Sequence, residues 1–146
     1  MGKKEKTAIK VVLDTNILVS SLLFQGELAG IVRLWKEGRI IPLFSRDTFY
    51  EFKTVLEYPK FSLSLQHRKN IIEEEILPYI EVVEIIDPVT GLCRDPDDDK
   101  FIACAVSASA DFIVTGDKDL LAIGRYKSVK MISGSALLKI LEANEA

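Results

Sequence analysis

The residue types in this chain that could do chemistry are carboxylates, and three of them stand where an apolar run stops or starts. Asp14 follows I-K-V-V-L at 9–13, and Asp117 follows F-I-V-T-G at 112–116. Asp99 closes R-D-P-D-D-D at 94–99 and opens the small-residue stretch F-I-A-C-A-V at 101–106. A fourth acid, Glu51, lies inside R-D-T-F-Y-E-F-K at 46–53. The one histidine, His67, lies in a polar stretch, and Cys93 and Cys104 have neither disulfide-framework nor zinc spacing. No Ser-His-Asp or Cys-His site can be assembled from these residues.

Carboxylates brought together repel one another. At 4 Å and an effective dielectric of 20 the cost is about 4 kcal/mol, and one member of such a pair tends to stay protonated. A divalent cation removes the conflict. Oxygen ligands without Cys or His favour Mg²⁺ or Mn²⁺ over zinc or copper. Such an ion shares its shell with phosphate oxygens and makes bound water a nucleophile, and a second ion about 3.5–4 Å away stabilises a leaving oxygen. That inventory suits phosphodiester cleavage. Asp97 and Asp98 also have a plainer reading, since aspartates at a helix start accept backbone N–H bonds and suit the positive end of the dipole.

The elements that must position these acids alternate between strand and helix. Strands are expected at 9–13, 40–44, 82–86, 112–114 and 129–132, with Pro42 placing the second near an edge or an irregular spot. Helices are expected at 17–24, capped by Asn16 or Thr15, and at 27–37, 46–56, 66–79 and 135–141, with a helical turn around 120–121. Pro96 and the aspartates after it signal another helix start. From Asp99, the positions Ala103, Val106 and Ala110 then follow along one face. This alternation predicts an α/β fold with three layers, helices on both faces of a mainly parallel sheet of four to five strands. Residues 1–146 read as a single domain, with 1–7 as a loose tail.

Parallel topology gathers the acids. Asp14 and Asp117 end strands, and a helix leading into a parallel strand runs antiparallel to it, which puts Asp99 at the same carboxyl edge. Glu51 joins only if its helix packs beside them.

The motifs V-V-L-D-T-N at 11–16, S-R-D-T-F-Y-E at 45–51, D-K-F-I-A-C-A at 99–105 and T-G-D-K-D-L-L at 115–121 resemble the PIN-domain ribonucleases. They are most similar to the VapC-like toxin components of toxin–antitoxin pairs. The resemblance spans nearly the whole chain. It implies a Mg²⁺- or Mn²⁺-dependent endoribonuclease that cleaves single-stranded RNA by a metal-activated water, often as a homodimer and often held by an antitoxin protein. It carries the catalytic and metal-binding acids to Asp14, Glu51, Asp99 and Asp117, and the supporting polar groups to Asn16 and Thr115. In the acid-rich turns the ligand role is also open to Asp95 or Asp98, and Asp119 is placed to assist Asp117.

Bulk composition agrees with one globular domain. The chain has 146 residues, 48% hydrophobic and 28% charged, enough for a real core. Its formal net charge of −3 is unlike that of a general nucleic-acid coat protein, so contacts to RNA would use local cations such as Arg46, Lys53, Lys100 and Lys118, or metal. Each of these is equally readable as solubilising surface charge. No apolar segment approaches a membrane span or a signal-peptide core, and the expected location is the cytoplasm. A haloacid-dehalogenase-like phosphatase needs a second aspartate where Asn16 stands, and a receiver domain needs an acidic pair at the first strand. The remaining alternative is a PIN-like module that binds RNA or protein without cutting.

Overall fold

In the computed structural model, which describes residues 8–143, the β-rich runs form one sheet. Its strands are β1 (Ile9–Leu13), β2 (Ile40–Phe44), β3 (Glu81–Val82), β4 (Phe112–Val114), β5 (Arg125–Tyr126) and β6 (Val129–Ile132). They lie in the order β3-β2-β1-β4-β6-β5. All neighbours are parallel except the β5–β6 pair. The order reverses at β1, which has β2 on one side and β4 on the other, and ligands of open α/β sheets bind at such switch points. There β1 and β4 run in register, with Leu13 opposite Val114.

Side-chain alternation along the strands divides the core in two. Val11 and Leu13 face one side, with α1 (Thr15–Leu23), α2 (Ala29–Lys36), α3 (Arg46–Leu56) and α7 (Gly134–Ala143). Val12 and Ile113 face the other, with α5 (Asp99–Ser107) and α6 (Lys118–Ile123). The three-layer α/β/α architecture is therefore as the alternation predicts. The sheet has six strands rather than four to five, because a two-residue piece, β5, is added to the expected ones at one edge.

Several local expectations are corrected. The first helix is capped by Asp14, not by Asn16 or Thr15: the Asp14 carboxylate accepts from the Ile17 N–H at 2.9 Å. The strand expected at 82–86 is confined to Glu81–Val82. After it the chain peels away, with the Ile86 and Asp87 N–H groups donating to Ser107 Oγ. The helix expected at 66–79 is not continuous. It is α4 (Leu65–Asn70), then a π-helical turn (Ile71–Ile76) and a 3₁₀ turn (Leu77–Tyr79), as suits a segment that Pro78 prevents from continuing. Pro42 lies in β2, which is not the outermost strand. Pairing with β3 begins only at Leu43, however, so the missing N–H of Pro42 leaves no ladder bond unmade on that side. The tail at 1–7 lies outside the described residues. Among the described residues, no helix is long and apolar enough to cross a membrane.

Helix α3 matters most to the site, because it carries Glu51. Ser45 and Thr48 form a reciprocal capping box at its start. Phe52 and Leu56 are buried and anchor it beneath the cleft, Phe52 against Phe44 with ring centroids 6.0 Å apart. Truncation of Phe52 to Ala is expected to cost about 3–5 kcal/mol, read as a lower denaturation midpoint in urea. A change below about 1 kcal/mol would contradict this anchoring.

Candidate active site

Because β1 and β4 are adjacent and in register, the residues just past their ends meet. The Asp14 N–H donates to the Val114 carbonyl at 3.0 Å. The Thr115 hydroxyl, fully buried, donates to Asp14 Oδ2 and accepts from the Asp117 N–H at 2.9 Å. One hydroxyl thus links both strand-end acids. Asp14 is itself buried, with its second oxygen engaged by Ile17. Asp117 caps α6, accepting from Asp119 N–H at 2.7 Å and Leu120 N–H at 3.2 Å.

Glu51 arrives from α3. It accepts from Thr15 Oγ1 at 2.5 Å and is paired with Lys100 Nζ at 2.5 Å. Lys100 also reaches Asp97 at 3.0 Å. Burial works against the charge of Lys100, but Glu51 and Asp97 outweigh it and hold its ammonium above the usual lysine value.

Asp14, Glu51 and Asp117 line one cleft of about 320 Å³ together with Asn16, Asp97 and Asp98, and Tyr58, Lys60 and Phe61 also line it. Asp98 reaches it from the 3₁₀ turn Pro96–Asp98 that precedes α5. Partial burial pushes its carboxyl up to about 6, with the negative charges of Asp117, Asp95, Asp14 and Glu51 adding to the rise. Asp14 is raised as well, chiefly by burial, against the lowering effect of its bonds from Thr115 and Ile17. Asp117 and Glu51 add further repulsion.

Asp99 is placed differently. Its carboxylate turns into the preceding loop, accepting from the Gly91 N–H at 2.9 Å and the Cys93 N–H at 2.8 Å, and it is not among the residues lining the cleft. Burial raises its pKa, but the bonds from Cys93, Gly91 and Leu92 more than offset this and hold the carboxyl below the usual aspartate range. Asp95 bonds the Asp97 N–H at 3.0 Å, and Asp119 lies 3.9 Å from Arg94. Neither lines the cleft.

Of the basic residues, Lys100 touches the acids, while Arg46 lines a separate groove beside β3. Lys53 and Lys118 are exposed. Tyr58, Lys60 and Phe61 line the cleft without being among the residues expected there from the sequence. The signal was present, since Y-P-K-F places two aromatics and a cation directly after the helix bearing Glu51.

The donor chemistry fits Mg²⁺ or Mn²⁺: oxygen atoms only, from four separate segments, under an electrostatic load that a cation would relieve. Among the described residues, no three Asp, Glu, His or Cys side chains are drawn up around a common point. The acids share a cleft without yet forming a cage.

A family model for the PIN domain matches residues 10–119. The uncharacterized protein MJ1680 of Methanocaldococcus jannaschii is 36% identical over 126 residues, covering 84% of this chain and 80% of that protein. Among solved structures, FitAcB from Neisseria gonorrhoeae matches with a TM-score of 0.55 at 17% identity, over 86% of this chain and 98% of that one. PAE2754 from Pyrobaculum aerophilum matches with a TM-score of 0.55 at 18% identity, over 94% and 97%. At such identities the two structures bear on the fold alone.

The load on Asp98 has a measurable sign. Its folded value, about 6, lies above the ordinary 3.8. The folded state therefore binds this proton more tightly than the unfolded one, and the stability it contributes is lost as pH rises through about 6. Without metal, Asp98→Asn should melt above wild type at pH 7.5, with the gap narrowing as pH falls below about 6 and closing only near the ordinary aspartate value of 3.8. A gap independent of pH would contradict the electrostatic origin of the shift.

Proposed function

The chain belongs to the PIN-domain family, and from that premise we propose that it is a divalent-metal-dependent endoribonuclease acting at the cleft of Asp14, Glu51, Asp98 and Asp117. The observation that supports this reading is the gathering of five carboxylates from four distant segments at the switch point of the sheet. A surface meant only to hold a polyanion gains nothing from such a cluster.

In this reading Asp14, Asp98 and Asp117 are the metal-holding groups, with Glu51 beside them. Asp98 was one of the alternatives open in the sequence. We assign it the role that motif spacing gives to Asp99, because Asp98 faces the cleft while Asp99 is spent on the loop. When bound, Mg²⁺ or Mn²⁺ supplies Lewis acidity, which lowers the pKa of water and offsets charge on a phosphoryl group. Thr115 fixes the rotamer of Asp14 and, through the Asp117 N–H, the turn that presents Asp117. Thr15 and Lys100 orient Glu51, and Lys100 offsets part of its negative charge. Asn16, exposed at the rim, is an amide available to a phosphate or a water.

The motif resemblance to VapC-like toxins extends the proposal. The substrate is single-stranded RNA, and the protein is a homodimeric toxin restrained by an antitoxin protein in the cytoplasm. Two observations favour the second reading, a PIN-like module that binds without cutting: Glu51 is already paired with Lys100, and among the described residues no three acids are drawn up around a common point.

Incubation of an unstructured RNA with Mn²⁺ separates the readings. Wild type should give fragments that EDTA abolishes, and Asp14→Asn or Asp98→Asn should give none while remaining folded. Asp99→Asn should cost about 1–3 kcal/mol of stability, because an amide cannot accept from both backbone donors, and yet cleave per folded molecule. No fragments from wild type would favour the binding module. Unchanged cleavage by Asp14→Asn would remove the site, and cleavage lost only in Asp99→Asn would restore the motif-based assignment.

A further inference from the structure

The acidic cleft does not end at its carboxylates. It runs into a second groove of about 490 Å³, and the two share Asn16, Lys60 and Phe61. The chemistry changes across that boundary. The second groove has no carboxylate in its lining, which instead includes two cations or potential cations, Lys60 and His67, and two aromatic rings, Phe24 and Phe61.

Phe24 follows the last residue of α1 and is 54% exposed, so its ring is accessible from the groove. Its ring centroid lies 6.3 Å from that of Phe61, with the planes tilted by 56°. Lys60 stands over the Phe61 ring at 5.2 Å. Phe61 is held by a one-turn 3₁₀ helix (Pro59–Phe61), and Ser62, at φ 51°, closes that turn in the left-handed region. Phe61 is thus placed by a hydrogen-bonded turn and Phe24 by the end of α1.

We propose that this groove is a nucleotide subsite of the nuclease, in which an unpaired base flanking the scissile phosphate stacks on Phe24 and Phe61 while Lys60 meets the adjoining phosphate. The proposal rests on the function proposed above. Three features argue for RNA as the occupant. The groove is continuous with the acidic cleft, its charge is complementary to a phosphodiester chain, and its rings offer π-faces to a base. A base within a duplex is already stacked on its neighbours, so the groove would select single strands. His67 is exposed and also lines the groove.

The test is binding of a fluorescent, unstructured RNA 12-mer in EDTA, where nothing is cut, followed by cleavage in Mn²⁺. Phe24→Leu and Phe61→Leu keep apolar bulk but remove the ring. Each should weaken binding about tenfold, in line with about 1–3 kcal/mol per stacked base, and raise KM more than it lowers kcat. Phe24→Tyr and Phe61→Tyr should restore binding, which a merely structural role would not require. An abasic site in the oligonucleotide should remove the difference between wild type and the Leu variants. Wild-type affinity in both Leu variants would overturn the subsite, including the case in which the groove serves an apolar peptide instead, and would leave the nuclease reading standing. Ring-dependent binding by a protein that never cuts would sustain the subsite and sink the nuclease.

Discussion

Parallel pairing of β1 with β4 is the constraint from which the site follows. Once Leu13 lies opposite Val114, the next residues of both strands emerge at one edge, and the Asp14 N–H finds the Val114 carbonyl. A buried carboxylate in that position is expensive. The structure meets the cost with two donors, the Thr115 hydroxyl and the Ile17 N–H. Thr115 is also bonded by the Asp117 N–H. The residue that makes Asp14 tolerable therefore also sets the turn carrying the next acid.

The remaining acids come from helices, and their placement is a matter of which face of a turn is used. Asp98 and Asp99 are neighbours, yet one looks into the cleft and the other into the loop that precedes it. The division of labour is physically sensible. A run of aspartates held beside other carboxylates needs an internal clamp, and Asp99 supplies one by tying down Gly91 and Cys93. Lys100, one position on, meets Glu51 and Asp97 and offsets part of the charge that Asp98 leaves unbalanced. Local structure here is organised by repulsion and its relief more than by helix propensity.

Much of this was legible in the chain itself. β-rich runs at 9–13 and 112–114, the first followed directly by Asp14 and the second by Thr115, Gly116 and Asp117, alternating with helical periodicity, were enough for the layers and for the edge at which the acids emerge. What could not be read was rotational. Spacing aligned Asp99 with the apolar face of its helix, and burial followed, but spacing could not tell whether that burial faced the cleft or the loop. The cap of α1 was misplaced for a related reason. Asp14 ends its strand and caps the next helix at once, and a sequence pattern assigns a residue to one element or the other. Pro78 marked a break that periodicity alone overran, and Tyr58–Phe61 passed unnoticed because their role depends on a groove that exists only after folding.

Cleavage at this edge, as proposed, requires that its carboxylates share a divalent cation. The most direct measurement is anomalous diffraction from crystals soaked in Mn²⁺. A peak is expected in the cleft in contact with Asp14, Asp98 and Asp117. Clear density for the same side chains with no peak among them, or a peak held only by acids elsewhere on the surface, would contradict it.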